Sequence, residues 1–374
     1  MTLKNQLLRL ILLPALFSFS NTETNDTGFS LPADEPIKIG FLIQESRARS
    51  AVLGAEMAIR KANLAGGYDG KQFSLTVRSM EGPWGTGSKQ AVDLIFEENV
   101  WALIGYHDGR NAHLVEQAAT KSIVPFISAW SSDPTLSQAF VPWFFNCVPT
   151  DRQQAQLIVK NITGKFKPGY TVVITGDDYD SRMASDNFIN EMKNAGKALL
   201  RNIEVKDNES IDDILSSLTK PSYPQCLVLF CQPRTASGIL GRLKLQKSSM
   251  PVYGSIMTID ENKINDEEIS CFDDVLVVAP ADWTDKSFNE FMKEYKKEHN
   301  RLPGMVASYS YDAAYLVSEA IRIAGTKDRA SIQTALKQIR FSGATGLIRF
   351  DEKGNRTGTF EIRKIKNGLP LIPQ

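Results

Sequence analysis

Histidine and cysteine are scarce, at three and four in 374 residues. His107, Asp108 and His113 come nearest to a ligand cluster, and so few histidines make a zinc site a poor expectation. Lys+Arg and Asp+Glu balance at 43 each, so the chain lacks the basic excess that a nucleic-acid surface requires. Low-complexity tracts are missing, and the apolar run at residues 10–19 is too short for an ordinary membrane span. No Gly-x-Gly-x-x-Gly follows the first strand, and there is no Gly-x-Ser-x-Gly elbow. The segment 82–89 (GPWGTGSK) looks like a phosphate loop but carries Ser before Lys, so it reads as a Gly-rich turn. Nowhere does the sequence offer a nucleophile, a base and an orienting group in concert, which argues against an enzyme and against a cofactor.

What remains has ordinary globular composition, 42% hydrophobic and 23% charged, and length enough for two domains. Lys4 and Arg9 precede or open the apolar run, and Ser18-Phe19-Ser20 supplies small residues at alternating positions. That is the anatomy of a secretory signal peptide over residues 1–20, followed by a polar leader at 21–36. Cys226 and Cys231 bracket one strand-like run, where an odd separation puts them on opposite faces and out of bonding reach. The pairing of Cys147 and Cys271 stays open, as does the alternative of four buried thiols.

From residue 37 the chain alternates strand and helix. Residues 37–43 (IKIGFLI) read as a buried strand, 51–62 as a helix stopped at Gly66-Gly67, 73–79 as a strand and 88–98 as a helix. The stretch 101–136 organises the rest. Two apolar runs, 101–104 and 123–127, flank an amphipathic segment, and each ends in a polar loop, at 105–110 and 128–133. Strand, helix, strand in one sheet makes the strands parallel and brings both loops to one edge. Open α/β sheets hold ligands at that carboxyl edge. A second α/β series starts near residue 150, and the chain ends in strands at 346–350 and 359–365 joined by a turn at 351–355. The fold class is α/β, with two similar lobes of parallel sheet covered by helices. The first lobe needs more helix cover than its own segment supplies, so the chain is expected to cross more than once.

The candidate binding residues all fall at these edges. Asp108 and Gly109 open a helix whose free N–H groups face the loop, and Arg110 adds a guanidinium that could clamp a carboxylate or make a surface ion pair. Ser128, Ala129 and Trp130 follow the next strand, with an indole placed to stack on a ligand or to cover the core. Trp84 carries the same two readings. In the second lobe Asp178 and Tyr179 follow the strand ending at Thr175, and Gln232 follows the one ending at Cys231.

Five segments, taken in order, carry a resemblance: 54–58 (GAEMA), 63–70 (NLAGGYDG), 125–128 (PFIS), 310–313 (SYDA) and 341–351 (FSGATGLIRFD). They are similar to the type I periplasmic solute-binding proteins of ABC importers, in the branched-chain amino acid (leucine/isoleucine/valine)-binding family, over nearly the whole chain from residue 37. The resemblance implies two Rossmann-like lobes joined by three hinge strands and closing on a ligand between them. Lobe one would be 37–149 plus 280–339, and lobe two 150–279 plus 340–374, with the final hairpin in lobe two. By position, it assigns the carboxylate of an amino acid to the loops Asp108-Gly109-Arg110 and Ser128-Ala129-Trp130, and a ligand contact to Tyr179. Two departures bear on the ligand. The first loop has no serine, and Ile256 stands after Gly254-Ser255 where the family has the acid that holds the ammonium. Asp108, Asp178 or Asp282 would have to replace that acid, and a carboxylate or amide ligand on Arg110 fits equally well. The expectation is a monomeric, exported, periplasmic solute receptor with an ABC permease as partner and no metal or cofactor. A sensory module of the same fold and an enzyme are the rivals.

Overall fold

The computed structural model describes residues 35–371, apart from 84, 139–140, 167–168, 207–208, 219–222 and 284–285. The expected signal peptide, nearly all of the leader, and Trp84 lie outside the described residues. The first sheet contains β1 (Ile37–Ile43), β2 (Phe73–Ser79), β3 (Ala102–Tyr106), β4 (Phe126–Ser128) and β5 (Phe144–Asn146). All five are parallel, in the order β2-β1-β3-β4-β5. β3 is buried at every position, which suits a strand covered on both faces and read in sequence as an unbroken apolar run. Its helices are α1 (Arg49–Leu64), α2 (Thr86–Phe96) and α3 (Gly109–Lys121). The run at 123–127 becomes strand only from Phe126. Ile123 sits before it at φ 55, exposed, in the turn that leaves α3.

The chain then builds a second sheet: α4 (Asp151–Lys165), β6 (Thr171–Gly176), α5 (Tyr179–Asn194), β7 (Arg201–Val205), α6 (Ile211–Leu218), β8 (Cys226–Phe230), α7 (Pro233–Leu245), β9 (Val252–Gly254), α8 (Asp266–Ile269) and β10 (Leu276–Pro280). Next come α9 (Lys286–His299), α10 (Met305–Ala324), α11 (Arg329–Gln338), β11 (Phe341–Gly343), β12 (Gly346–Ile348), β13 (Phe360–Lys366) and β14 (Leu369–Leu371). The second sheet runs β14-β13-β10-β9-β8-β6-β7. Its strands β6 to β10 pair in parallel, while β13 is antiparallel to both β10 and β14. One expectation is corrected here. The last two expected strands do not form a hairpin, because β12 pairs with β11 and β13 pairs with β10 and β14. The turn at 351–355 closes only a single bridge, Phe350 to Arg356.

The chain passes between the two sheets three times: after β5, after β10 and between β12 and β13, since β11 still packs against α9 and α10. The middle return covers the first sheet, since α10 lies along α1 and also touches β3 and β4. Gly54 permits that approach; a Cβ there would stand 2.2 Å from the Ala307 carbonyl oxygen. Buried Arg356 ties the first passage to the third. It donates to the Cys147 carbonyl at 3.0 Å, to the Thr345 hydroxyl at 2.7 Å and to the Thr345 and Leu347 carbonyls. Asp312 of α10 accepts the Ala344 and Thr345 N–H groups and the Thr345 hydroxyl. The four cysteines are thiols, three of them buried, so no disulfide contributes. Among the described residues, no helix is long and apolar enough to cross a membrane.

Candidate ligand-binding site

The carboxyl edges of the two sheets face each other, and their loops touch at several points, among them Asn262 accepting the Ser50 N–H at 2.8 Å and Glu261 accepting the Val306 and Ala307 N–H groups. Gly109 N–H donates to Asp180 Oδ1 at 2.9 Å, the Tyr179 hydroxyl donates to Asp133 Oδ2 at 2.8 Å, and the Tyr106 hydroxyl donates to Asp260 Oδ2 at 2.6 Å. These contacts form the line along which two jaws meet. The helix starts explain their placement. Asp108 caps α3 by accepting the Asn111 N–H at 2.8 Å, which leaves Gly109 N–H pointing outward. Asp178 caps α5 by accepting the Ser181 N–H at 3.0 Å, and so aims the first-turn residues Tyr179 and Asp180 at the opposite lobe.

The jaw line is rich in carboxylates, and each one is managed differently. Burial alone would push Asp133 up, but bonds from His113, Thr135 and Tyr179 outweigh it and hold the carboxyl below its usual range. His113 is the counter-charge. Its hydrogen bonds to Asp133 and then Glu116 raise the imidazole to about 9, so it is protonated at neutral pH. Asp180 has no such partner. Burial, then the nearby charge of Asp108, pushes it up to about 7, against the Gly109 N–H and the more distant charge of Lys263. Asp151 is pushed well up, chiefly by burial, and accepts the Ser132 hydroxyl at 2.7 Å. His107 is buried and lowered to about 4, so it is neutral and takes no part in the charge balance.

The expected site residues do not form a single cluster. Asp108, Arg110 and Tyr179 line one recess of about 590 Å³ at the mouth of the jaws, opposite the Gly-rich turn and the start of α2. Arg110 is exposed, not a buried clamp; its guanidinium lies 5.4 Å from the centre of the Tyr179 ring. Trp130 is fully buried, packed between Tyr106 and Tyr309, as its core-covering reading would have it. Ser128 accepts the Ser131 N–H at 3.1 Å within its own loop, and the Ala129 N–H donates to the Gly105 carbonyl of β3 at 2.8 Å. The Gly109 N–H is likewise already taken by Asp180. Asp178 and Gln232 border a much smaller void of about 20 Å³, where Gln232 Oε1 lies 3.5 Å from the Lys263 amine. Asp282 accepts the Leu347 N–H at 2.7 Å. Among the described residues, no group of three or more His, Cys, Asp or Glu is placed to hold a metal ion.

Tyr106, His113, Asp133, Asp180 and Asp260 make or support the jaw contacts and were missed or given other roles from sequence. Asp180 did carry a faint signal, as a second acid directly after the Asp178 cap and Tyr179. The partners of the others lie 20 to 154 residues away, and no local pattern encodes such pairings.

A comparison of the sequence with known families matches residues 51–368 to the one described as "Receptor family ligand binding region". The leucine-, isoleucine-, valine-, threonine- and alanine-binding protein of Pseudomonas aeruginosa is 21% identical over 312 residues, 81% of each chain. Metabotropic glutamate receptor-like protein E of Dictyostelium discoideum is 23% identical over 287 residues, and the match spans about a third (32%) of that longer protein. Among solved structures, the substrate-binding protein LivJ of Streptococcus pneumoniae with isoleucine superimposes with a TM-score of 0.77 at 20% identity, covering 90% of this chain and 98% of that one. A solute-binding protein of R. palustris with benzoate reaches the same TM-score at 17% identity, over 90% and 95% of the two chains. The chain therefore has the two-lobed fold of the type I periplasmic binding proteins.

Proposed function

We propose, from the premise that the chain belongs to the receptor family with that ligand-binding region, that it is an exported solute receptor closing two lobes on a small carboxylate-bearing ligand. The lobes are taken as residues 37–149 plus 280–339 and 150–279 plus 340–374. Delivery to an ABC permease at the outer face of the membrane is the matching role, as with the binding proteins it resembles. The meeting of the two carboxyl edges through Gly109–Asp180, Tyr179–Asp133 and Tyr106–Asp260 carries this reading, because such contacts break and re-form when lobes hinge.

Anion preference has local support. Arg110 shares the 590 Å³ recess with the start of α2, whose cap Gly85 has no side chain to satisfy the first-turn N–H groups and which has no acid in that turn. The ammonium of an amino acid finds less. Asp108 and Asp178 are spent as caps, Asp282 is bonded to Leu347, and Ile256 fills the family's acidic position. The Dictyostelium relative favours a second reading, in which the same closure is reported to a signalling partner. A thermal-shift screen of amino acids, amides, carboxylates and sugars tests the receptor itself. A ligand at a hundred times its Kd adds about 2.7 kcal/mol of stability. A flat response across the panel would overturn the proposal. Loss of uptake of the stabilising compound when this chain is deleted separates carrier from sensor.

A further inference from the structure

Beside the Tyr106 contact, a wall of buried core side chains holds three polar atoms with nothing to bond. Trp130 Nε1, Trp283 Nε1 and the Tyr309 hydroxyl lie on side chains that are at most 1% exposed, and none has a hydrogen-bond partner among the described residues. They are neighbours. The Tyr309 ring meets Trp283 edge-on at 5.2 Å between centroids and Trp130 at 6.2 Å, and Trp130 meets Tyr106 at 6.1 Å. Tyr106 carries the cluster to the jaw line, because its hydroxyl bonds Asp260 of the other lobe. A buried donor left dry is costly, and three in one aromatic cluster call for a group that brings acceptors.

The charges behind the wall are both engaged. Arg356 lies close enough to Tyr309 for its charge to be felt there, and it spends its donors on backbone carbonyls and the Thr345 hydroxyl, with no carboxylate bonded to it directly. Asp312, the acid felt by Tyr309, is itself occupied by Ala344 and Thr345. The wall thus offers ring faces and neutral donors, with the opposite charges of Arg356 and Asp312 both felt behind it, and no unoccupied acid for an ammonium.

We propose that this cluster sets specificity, and that it selects a flat aromatic carboxylate without an amino group. The ring would pack against Trp130, Trp283 and Tyr309, and the ligand's oxygens would accept from the indole N–H groups and the hydroxyl. The inference rests on the receptor reading above.

Two of the five tryptophans form the wall, so their emission reports occupancy. Titrations with benzoate, 4-hydroxybenzoate, phenylalanine and leucine, followed by fluorescence and calorimetry, provide the test. We expect benzoate or 4-hydroxybenzoate to quench emission and to bind at least tenfold more tightly than either amino acid. Tyr309→Phe removes only the unpaired hydroxyl. It should weaken the aromatic acid at least fivefold while leaving the melting temperature of the ligand-free protein unchanged or raised, and Trp283→Phe should weaken binding in the same direction. If the donors merely hold buried water, Tyr309→Phe will lower the melting temperature and leave the affinity intact, and the inference fails. Leucine binding as tightly as benzoate would also overturn it while sparing the receptor reading. Binding of nothing in this set or in the wider screen would sink both.

Discussion

Tyr179→Phe takes one oxygen from the jaw line and nothing else. The ring stays beneath Arg110, while the 2.8 Å bond from the lobe-two hydroxyl to Asp133 disappears. A hydrogen bond to a charged group contributes about 1.5–3 kcal/mol. Asp133 keeps His113 and Thr135 as partners and Tyr179 is only half-buried, so the low end applies. About 1.4 kcal/mol is a tenfold shift of the closed-to-open ratio, and apparent affinity falls with the fraction of competent closed state. The expected result is a roughly tenfold rise in Kd, by calorimetry, for whichever compound the thermal screen identifies. Far-UV circular dichroism and the ligand-free melting curve should change little, since each lobe keeps its own core. Asp133→Asn supplies the partner substitution for a double-mutant cycle. Additive losses, or an affinity within twofold of the parent, would refute the claim that this bond latches the lobes.

Two further expectations concern pH and packing. His113 is raised to about 9 by Asp133 and Glu116, so its stabilisation is complete below the free value of 6.5 and is lost as pH rises through 9. Asp180, raised to about 7 by burial and Asp108, likewise favours the docked form at low pH and opposes it as pH rises through 7. Thermal stability should therefore fall as pH rises from 6.5 to about 9, with His113→Gln flattening that limb, while ionisation of Asp180 toward pH 7 weakens the docked contact; a level stability profile in the parent protein would contradict the His113 assignment. Gly54→Ala should cost about 2–3 kcal/mol by driving α1 from α10, seen as a lower melting temperature, while Leu64→Ala, at a side chain 90% exposed, should stay within about 0.5 kcal/mol.

Much of the scaffold was legible because its signals are local. The run IKIGFLI marks β1 and the residues 211–218 mark α6, since burial on both faces and amphipathic spacing leave periodic traces. The edge loops were legible too, because parallel strands joined by a helix must send their loops one way. Partnership was not. Trp130 reads equally as a ligand contact or a cover for the core until Tyr309, far along the chain, is placed against it. The last strands failed for the same reason. Adjacent runs with a turn between them suggest a hairpin, but β13 finds its partner in β10, whose sequence gives no hint of waiting for an antiparallel neighbour. Ile123 looks like the first residue of a strand by composition, whereas leaving α3 toward Pro125 requires a left-handed backbone there.

The Gly109 N–H, expected to hold a ligand's carboxylate, is occupied by a carboxylate of the chain itself, Asp180, so the jaws satisfy their own chemistry where they meet. A ligand entering at that level would have to displace Asp180, and its affinity would be the difference between two similar sets of bonds. Asp180 is a poor competitor, however. It accepts one N–H beside Asp108 and Asp178, and burial with those charges outweighs Lys263 and drives its carboxyl toward the neutral form. The latch that excludes an incoming carboxylate is thus weakest where an ionised ligand with better partners would press. The unpaired indole and phenol donors lie deeper, beyond the reach of any carboxylate the chain supplies. A ligand that reaches them gains bonds for which the protein has no substitute, and those bonds, not the rim contacts, decide which solutes the jaws retain.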